Sequence, residues 1–138
     1  MSLVPAVLCF GASLAAPAVT FFNTTSGKLE TLPGWQCALT GFLALFAGQL
    51  SWIANPWFAV GGVLLLLGRW KLAAALGAGA LLVGLHALAL KTNPLPANEG
   101  GVGELQLRSL GAGYWLWLAS FVLLALAAVW RGQAGSAG

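Results

Sequence analysis

Six of the seven tryptophans in this chain stand in pairs, one pair at the ends of each of three apolar runs. Tryptophan has an apolar ring system and one N–H group that requires a hydrogen-bond partner, so it concentrates where a bilayer meets water. On helices the three pairs would be separated by about 25, 20 and 22 Å, close to the roughly 30 Å of a bilayer's hydrocarbon core. This spacing predicts helices that cross a membrane. The pairs are Trp35 with Trp52, Trp57 with Trp70, and Trp115 with Trp130.

The composition also predicts a membrane protein. Charged residues make up only 7% of the 138 residues, against about 25% in soluble domains, and the mean hydropathy is +0.89. The six basic and three acidic residues are scattered, so no basic patch follows a phosphate backbone and we expect no nucleic-acid partner. We therefore expect a single transmembrane domain, residues 1–138, of an all-α polytopic protein in the lipid bilayer.

Five apolar runs are candidates for transmembrane helices, and the third is shorter than the others. Pro56 separates the second run from the third, because proline lacks an N–H and displaces the preceding residue from helical geometry. No Lys or Arg precedes the first run, so we expect a retained span rather than a cleaved leader. The predicted spans are residues 3–22, 35–54, 56–68, 72–90 and 110–130, with an outer loop at 91–109 and a flexible tail at 131–138.

The positions of the basic residues favour five spans. Five spans place four cations on one side and two on the other, and the positive-inside rule makes the first side cytoplasmic. We therefore predict an N-terminus outside and a C-terminus in the cytoplasm, in a bacterial inner membrane. The alternative is four spans plus a re-entrant segment at residues 56–68, which divides the cations equally. The four cations are Lys28, Arg69, Lys71 and Arg131.

Small residues recur at spacings of three and four along the second and fourth runs, so each set forms a stripe on one helix face. Such stripes let helix backbones approach closely in a membrane. We expect the second, third and fourth helices to form the packed core, and the bulky fifth run to lie at the periphery, against lipid or a partner subunit. The predicted packing residues are Thr40, Ala44, Ala47 and Ser51, and Ala73, Gly77, Ala80, Gly84 and Ala87.

His86 is the one ionisable side chain inside the fourth run. Ionisable groups at membrane depth are costly and often functional. Its imidazole could ligate a haem or a chlorin, with Gly79 two turns earlier leaving room for a flat ring. The structural alternative is a histidine that hydrogen-bonds to a neighbouring helix, in which case we expect no cofactor.

Three amides, Gln36, Gln49 and Asn55, are the other polar candidates within the apolar runs. We expect Gln49 and Asn55 to hydrogen-bond across helices, which contributes about 0.6–2 kcal/mol in membranes. Cys9 and Cys37 are expected to be free thiols, and two cysteines with one histidine fall short of a structural zinc site. The sequence shows no set of residues for nucleophilic or acid–base catalysis. We therefore expect no catalytic residue, no bound metal and no enzyme.

These features favour a non-catalytic integral membrane subunit, or an assembly or stabilising factor, that associates with other integral membrane subunits of a larger complex. One alternative is a small oligomeric channel or carrier, whose path would be lined by Gln36, Gln49 and Ser51. Another is an accessory subunit associated with a pigment or quinone through His86.

Overall fold

The computed structural model describes residues 2–98 and 100–136 as five α-helices, three 3₁₀ helices and four β-strands. The α-helices are α1 (Val4–Ala15), α2 (Gly34–Thr40), α3 (Ala54–Leu66), α4 (Trp70–Leu85) and α5 (Ala112–Ser136). The strands are β1 (Pro17–Asn23), β2 (Lys28–Pro33), β3 (Leu95–Pro96) and β4 (Glu104–Leu110), and the 3₁₀ helices are Gly41–Ala47, Ser51–Ile53 and His86–Lys91. We call residues 34–53 the connecting segment, because they join β2 to α3.

The four strands form one antiparallel sheet in the order β2-β1-β4-β3. The β-branched and aromatic side chains of β1 favour an extended strand, and Gly27 supplies the positive φ of +68° in the turn to β2. β1 is central, since Val19 pairs with Leu32 of β2 on one side and with Leu110 of β4 on the other.

α1, α3, α4 and α5 form a four-helix bundle with α5 at its centre. α5 runs antiparallel to α4, because Tyr114 lies beside Gly84 and Ala125 lies beside Gly77. We call the end where α5 begins the sheet end, and the other end, which carries Arg69, Lys71 and Arg131, the basic end. The fully buried side chains of α5 are Ser120, Phe121, Leu124, Ala127 and Ala128.

The prediction of an all-α protein with five transmembrane helices is wrong. Two helices, Trp70–Lys91 and Ala112–Gly135, are long and apolar enough to cross a membrane, judged by length and composition alone. The first predicted span, 3–22, is helical only to Ala15, because Ala16 turns to extended geometry before Pro17 and the chain continues as β1. The expected outer loop at 91–109 contains β3 and β4.

The predicted break at Pro56 is also wrong, as is the alternative of a re-entrant segment at 56–68. Pro56 lies in the first turn of α3, where backbone N–H groups have no helical partner and proline is tolerated. The chain breaks earlier, at Gly48, whose φ of +78° ends a 3₁₀ helix. The second predicted span, 35–54, is therefore divided into α2 and two 3₁₀ helices.

The expected core is corrected as well, since α5 lies at the centre of the bundle rather than at its periphery. Small residues of α5, among them Gly113 and Ala125, let neighbouring backbones approach this helix closely. Bulky residues dominate the same run in the sequence, so this packing face is not apparent there. α5 also continues through the expected tail to Ser136, and residues 137–138 lie outside the described part of the chain.

The two ends of the described chain lie at the same end of the bundle, not on opposite faces. Leu3 lies next to Gly62 of α3, and the Arg131 guanidinium donates a 2.8 Å hydrogen bond to the Leu65 carbonyl of the same helix. A bundle of this kind placed with its axis across a membrane would have both ends of the described chain on one side, whereas the predicted N-out, C-in arrangement has them on opposite sides.

Candidate functional site

The candidate site lies at the sheet end, where the connecting segment meets α4. The turn at Gly48 directs the Gln49 side chain inward, and only 6% of this residue is exposed. The Gln49 Oε1 atom lies 2.5 Å from the His86 Nδ1 atom, and the Gln49 amide group lies 3.4 Å from the His86 carbonyl. Gln49 Oε1 also accepts a 3.3 Å hydrogen bond from the Ser51 amide. These contacts fix the last part of the connecting segment next to His86, directly after the end of α4.

Two contacts meet at the Nδ1 atom of the His86 ring. Gln49 Oε1 lies 2.5 Å from this atom, and the Leu50 backbone N–H donates a 3.3 Å hydrogen bond to it. His86 is exposed, and an imidazole nitrogen is a common metal ligand. Haem or chlorin ligation stays a prediction, tested by loss of a cofactor absorbance band in His86→Leu. The expected space at Gly79 is filled by Trp57, which would lie 2.7 Å from a Cβ there.

The polar groups nearby are paired with one another. The Trp117 indole N–H donates a 2.8 Å hydrogen bond to Asn55 Oδ1, and the Tyr114 hydroxyl donates at 3.3 Å to the Gly84 carbonyl. Asn55 was among the polar residues singled out in the sequence, whereas Trp117 and Tyr114 were not. The signal was available, since a buried indole N–H or phenol requires a partner. These pairs hold α3, α4 and α5 together at the sheet end.

An apolar cavity of about 580 Å³ lies between the sheet, the connecting segment and the starts of α3 and α5. No charged side chain of the described residues lines it. Its walls include Ala18, Leu43, Phe46, Trp52, Ala87 and Leu105.

Cys37 offers no reactive thiolate at neutral pH on the wall of the apolar cavity. Cys9 and Cys37 are both free thiols. Cys37 lines the apolar cavity, and its burial raises the pKa of the thiol to about 11, against a smaller opposing effect of a backbone hydrogen bond. Its thiol therefore stays protonated near pH 7. Among the described residues, no group of three or more His, Cys, Asp and Glu side chains could hold a metal.

A second feature is a shallow groove on the sheet, which we call the basic groove. Phe22, Lys28, Leu29 and Arg108 line it together with Gly27. The Arg108 guanidinium lies over the Phe22 ring at 5.1 Å, a cation–π arrangement that holds its charge in place. The groove combines two cations with exposed apolar surface.

The two predicted stripes have different positions in the structure. The α4 stripe is buried against the bundle, and a Cβ on Gly77 would lie 3.0 Å from the Ala125 backbone nitrogen. The stripe of the second run does not share one helix face, because that run is broken at Gly48. Its members line the apolar cavity instead. The backbone carbonyl of Gln36, the remaining polar candidate, accepts a 2.8 Å hydrogen bond from the Thr40 hydroxyl. The cavity-lining members are Thr40, Ala44, Ala47 and Ser51.

Comparison of the chain with protein-family models, curated proteins and solved structures gives no match.

Proposed function

We propose that this protein is a non-catalytic integral membrane subunit, or an assembly or stabilising factor, of a larger complex in a bacterial inner membrane. The observation that carries the proposal is the contrast between the inside and the outside of the bundle. The polar side chains Gln49 and Asn55 have their partners within the protein, His86 and Trp117. Outside, large apolar side chains such as Leu82 are exposed along the helices. Apolar surface of this extent is suited to lipid or to a partner subunit.

The same pairs favour a subunit over a channel or carrier. A polar solute needs side chains with free hydrogen-bonding groups along its path. Gln49 is buried and its amide is engaged by His86 and by the Ser51 backbone. A path through this region would have to break contacts that fix the connecting segment.

We propose that the basic end faces the cytoplasm and that the sheet lies on the opposite side. Each end has three cations, but those of the basic end, Arg69, Lys71 and Arg131, have no glutamate within residues 66–72 or 129–136. Glu30 and Glu104 belong to the sheet. Cations next to a membrane are attracted by the anionic cytoplasmic leaflet. Cysteine-accessibility labelling at both chain ends in intact cells tests this orientation, and labelling of either end from outside contradicts it.

We propose that the basic groove is the surface that contacts an acidic segment of the partner. Lys28 and Arg108 supply positive charge, and Leu29 and Phe22 supply apolar contact area. Interfaces use charge of this kind for partner choice and apolar contacts for affinity. The partner chemistry is therefore an acidic segment with apolar side chains, outside the membrane.

Affinity purification from native membranes, with the wild-type chain and two variants, tests the proposal. Arg108→Glu reverses a groove charge and is expected to release a membrane protein that the wild type retains. Lys91→Glu is the matched control, because Lys91 is an exposed cation near the sheet end that does not line the groove, and it is expected to retain the partner. If no membrane protein is retained by the wild type, or both variants release it equally, the proposal is wrong.

A further inference from the structure

The apolar cavity offers its occupant mainly apolar contact area. Two of the polar side chains in its lining are engaged within the protein: Trp52 donates a 2.7 Å hydrogen bond to the Ala38 carbonyl, and Tyr114 donates to the Gly84 carbonyl. No buried side-chain nitrogen or oxygen lacks a partner in the described chain. Water fills a cavity stably only where it finds polar partners, so a lining of this kind favours an apolar occupant.

The cavity opens beside the 3₁₀ helix Gly41–Ala47. Leu43 and Phe46 line the cavity and are also exposed, Phe46 by 88% of its surface. The facing wall includes Leu95 of β3. A 3₁₀ helix of seven residues is longer than the usual run and has poorer hydrogen-bond geometry than an α-helix. Apolar side chains on this 3₁₀ helix therefore form part of the mouth of the cavity.

We propose that the apolar cavity holds one acyl chain of a membrane phospholipid, which enters past Leu43 and Phe46 while the head group stays outside. The volume of about 580 Å³ lies within the range of ligand pockets, roughly 300–1,000 Å³. A bilayer supplies acyl chains at high concentration. A quinone ring would bring carbonyl groups that need donors, whereas most of the side chains that line the cavity are apolar. The inference rests on the membrane location in the proposed function.

A photoreactive lipid tests this occupant. The full chain is reconstituted into phosphatidylcholine vesicles that contain phosphatidylcholine with a diazirine on one acyl chain, irradiated, and mapped by mass spectrometry. Ala18 and Ala87 line the cavity and are each less than a tenth exposed, so a probe reaches them through the cavity. We expect labelling of both, together with labelling of the exposed Leu82 on the outside of α4. Labelling of Leu82 alone overturns the inference.

A cavity-filling variant separates entry from surface contact. Ala44→Trp places an indole at a half-buried position on the cavity wall, and we expect at least a fivefold loss of label at Ala18 and Ala87 with no change at Leu82. Ala89→Trp is the matched control, because Ala89 is half-buried and does not line the cavity. If Ala44→Trp misfolds, the wild-type map alone decides the matter.

Two further arms separate the alternatives. A diazirine on a polyprenyl quinone replaces the labelled phospholipid in one arm, and labelling of the cavity by that probe alone contradicts an acyl-chain occupant. Flotation of the vesicles shows whether the chain has inserted. If it has not, the proposed function and this inference both fail; if it has and the cavity stays unlabelled, only this inference fails.

Discussion

Substitution of Gly77 by alanine is expected to push α4 and α5 apart. A Cβ at this position would lie 3.0 Å from the Ala125 backbone nitrogen and 3.2 Å from both the Cα and the Cβ of that residue. These atoms belong to a helix backbone, which cannot rotate away as the end of a side chain can. One of the two helices must therefore shift by a few tenths of an ångström along a buried contact.

The size of the effect follows from two opposing contributions. Overpacking a well-packed contact typically costs about 1–3 kcal/mol, whereas alanine in place of glycine inside a helix gains about 1 kcal/mol in water. Gly62→Ala isolates the second contribution, because a Cβ there would meet only Leu3, at an ordinary distance of 3.7 Å. We expect Gly77→Ala to have a free energy of unfolding about 1–3 kcal/mol below that of Gly62→Ala.

The measurement is reversible unfolding of the full chain in detergent micelles, followed by the helical circular dichroism signal. Both variants are compared with the wild type in the same detergent, so differences in the micelle cancel. If the two variants agree within about 0.5 kcal/mol, which is typical of surface positions, the close packing of α4 against α5 is not the constraint described above.

Three further predictions concern the polar contacts. In a double-mutant cycle, Gln49→Leu and His86→Leu should each cost about 1–3 kcal/mol of unfolding free energy, because each leaves the other group short of a partner. The double variant should cost clearly less than the sum of the two single costs. Additive costs would show that the pair is not coupled. The rate of alkylation of Cys37 in the folded chain should rise about tenfold per pH unit from pH 7 and continue to rise beyond pH 9, since the pKa of the thiol is about 11. A plateau of this rate near pH 9 would contradict a buried thiol. Arg131→Met should lower the stability by about 1 kcal/mol through loss of the bond to the Leu65 carbonyl, and an unchanged midpoint of unfolding would show that this exposed guanidinium contributes nothing.

The extent to which the sequence predicts the fold differs between elements. The apolar segments that became α3, α4 and α5 are identifiable because hydropathy and length report directly on apolar helices. The first run was misassigned because the residues of β1 are as apolar as those of a helix. Hydropathy does not distinguish the two, and the partner strand β4 lies some 90 positions away along the chain.

The candidate site was harder to predict because its contacts join distant parts of the chain. Gln49 and His86 were identified separately, as polar residues in apolar runs, but 37 positions separate them and nothing local indicates the pairing. Trp117 stands among the bulky side chains of the fifth run, and its partner Asn55 is 62 positions away along the chain. Residue type indicates that a partner is required, and only the fold determines which one.

The central position of β1 imposes an order on the maturation of the chain. β1 leaves α1 early in the sequence, but one of its two neighbours, β4, is made after α4. Until residues 104–110 join the sheet, β1 and β2 form only a two-stranded hairpin, which is marginally stable in water. Completion of the sheet therefore coincides with placement of α5, the helix that fills the centre of the bundle. A chain interrupted before residue 104 lacks both the closing strand and the central helix. It therefore exposes an unpaired strand edge together with the apolar helix faces that α5 would cover, and both are features that chaperones and proteases recognise.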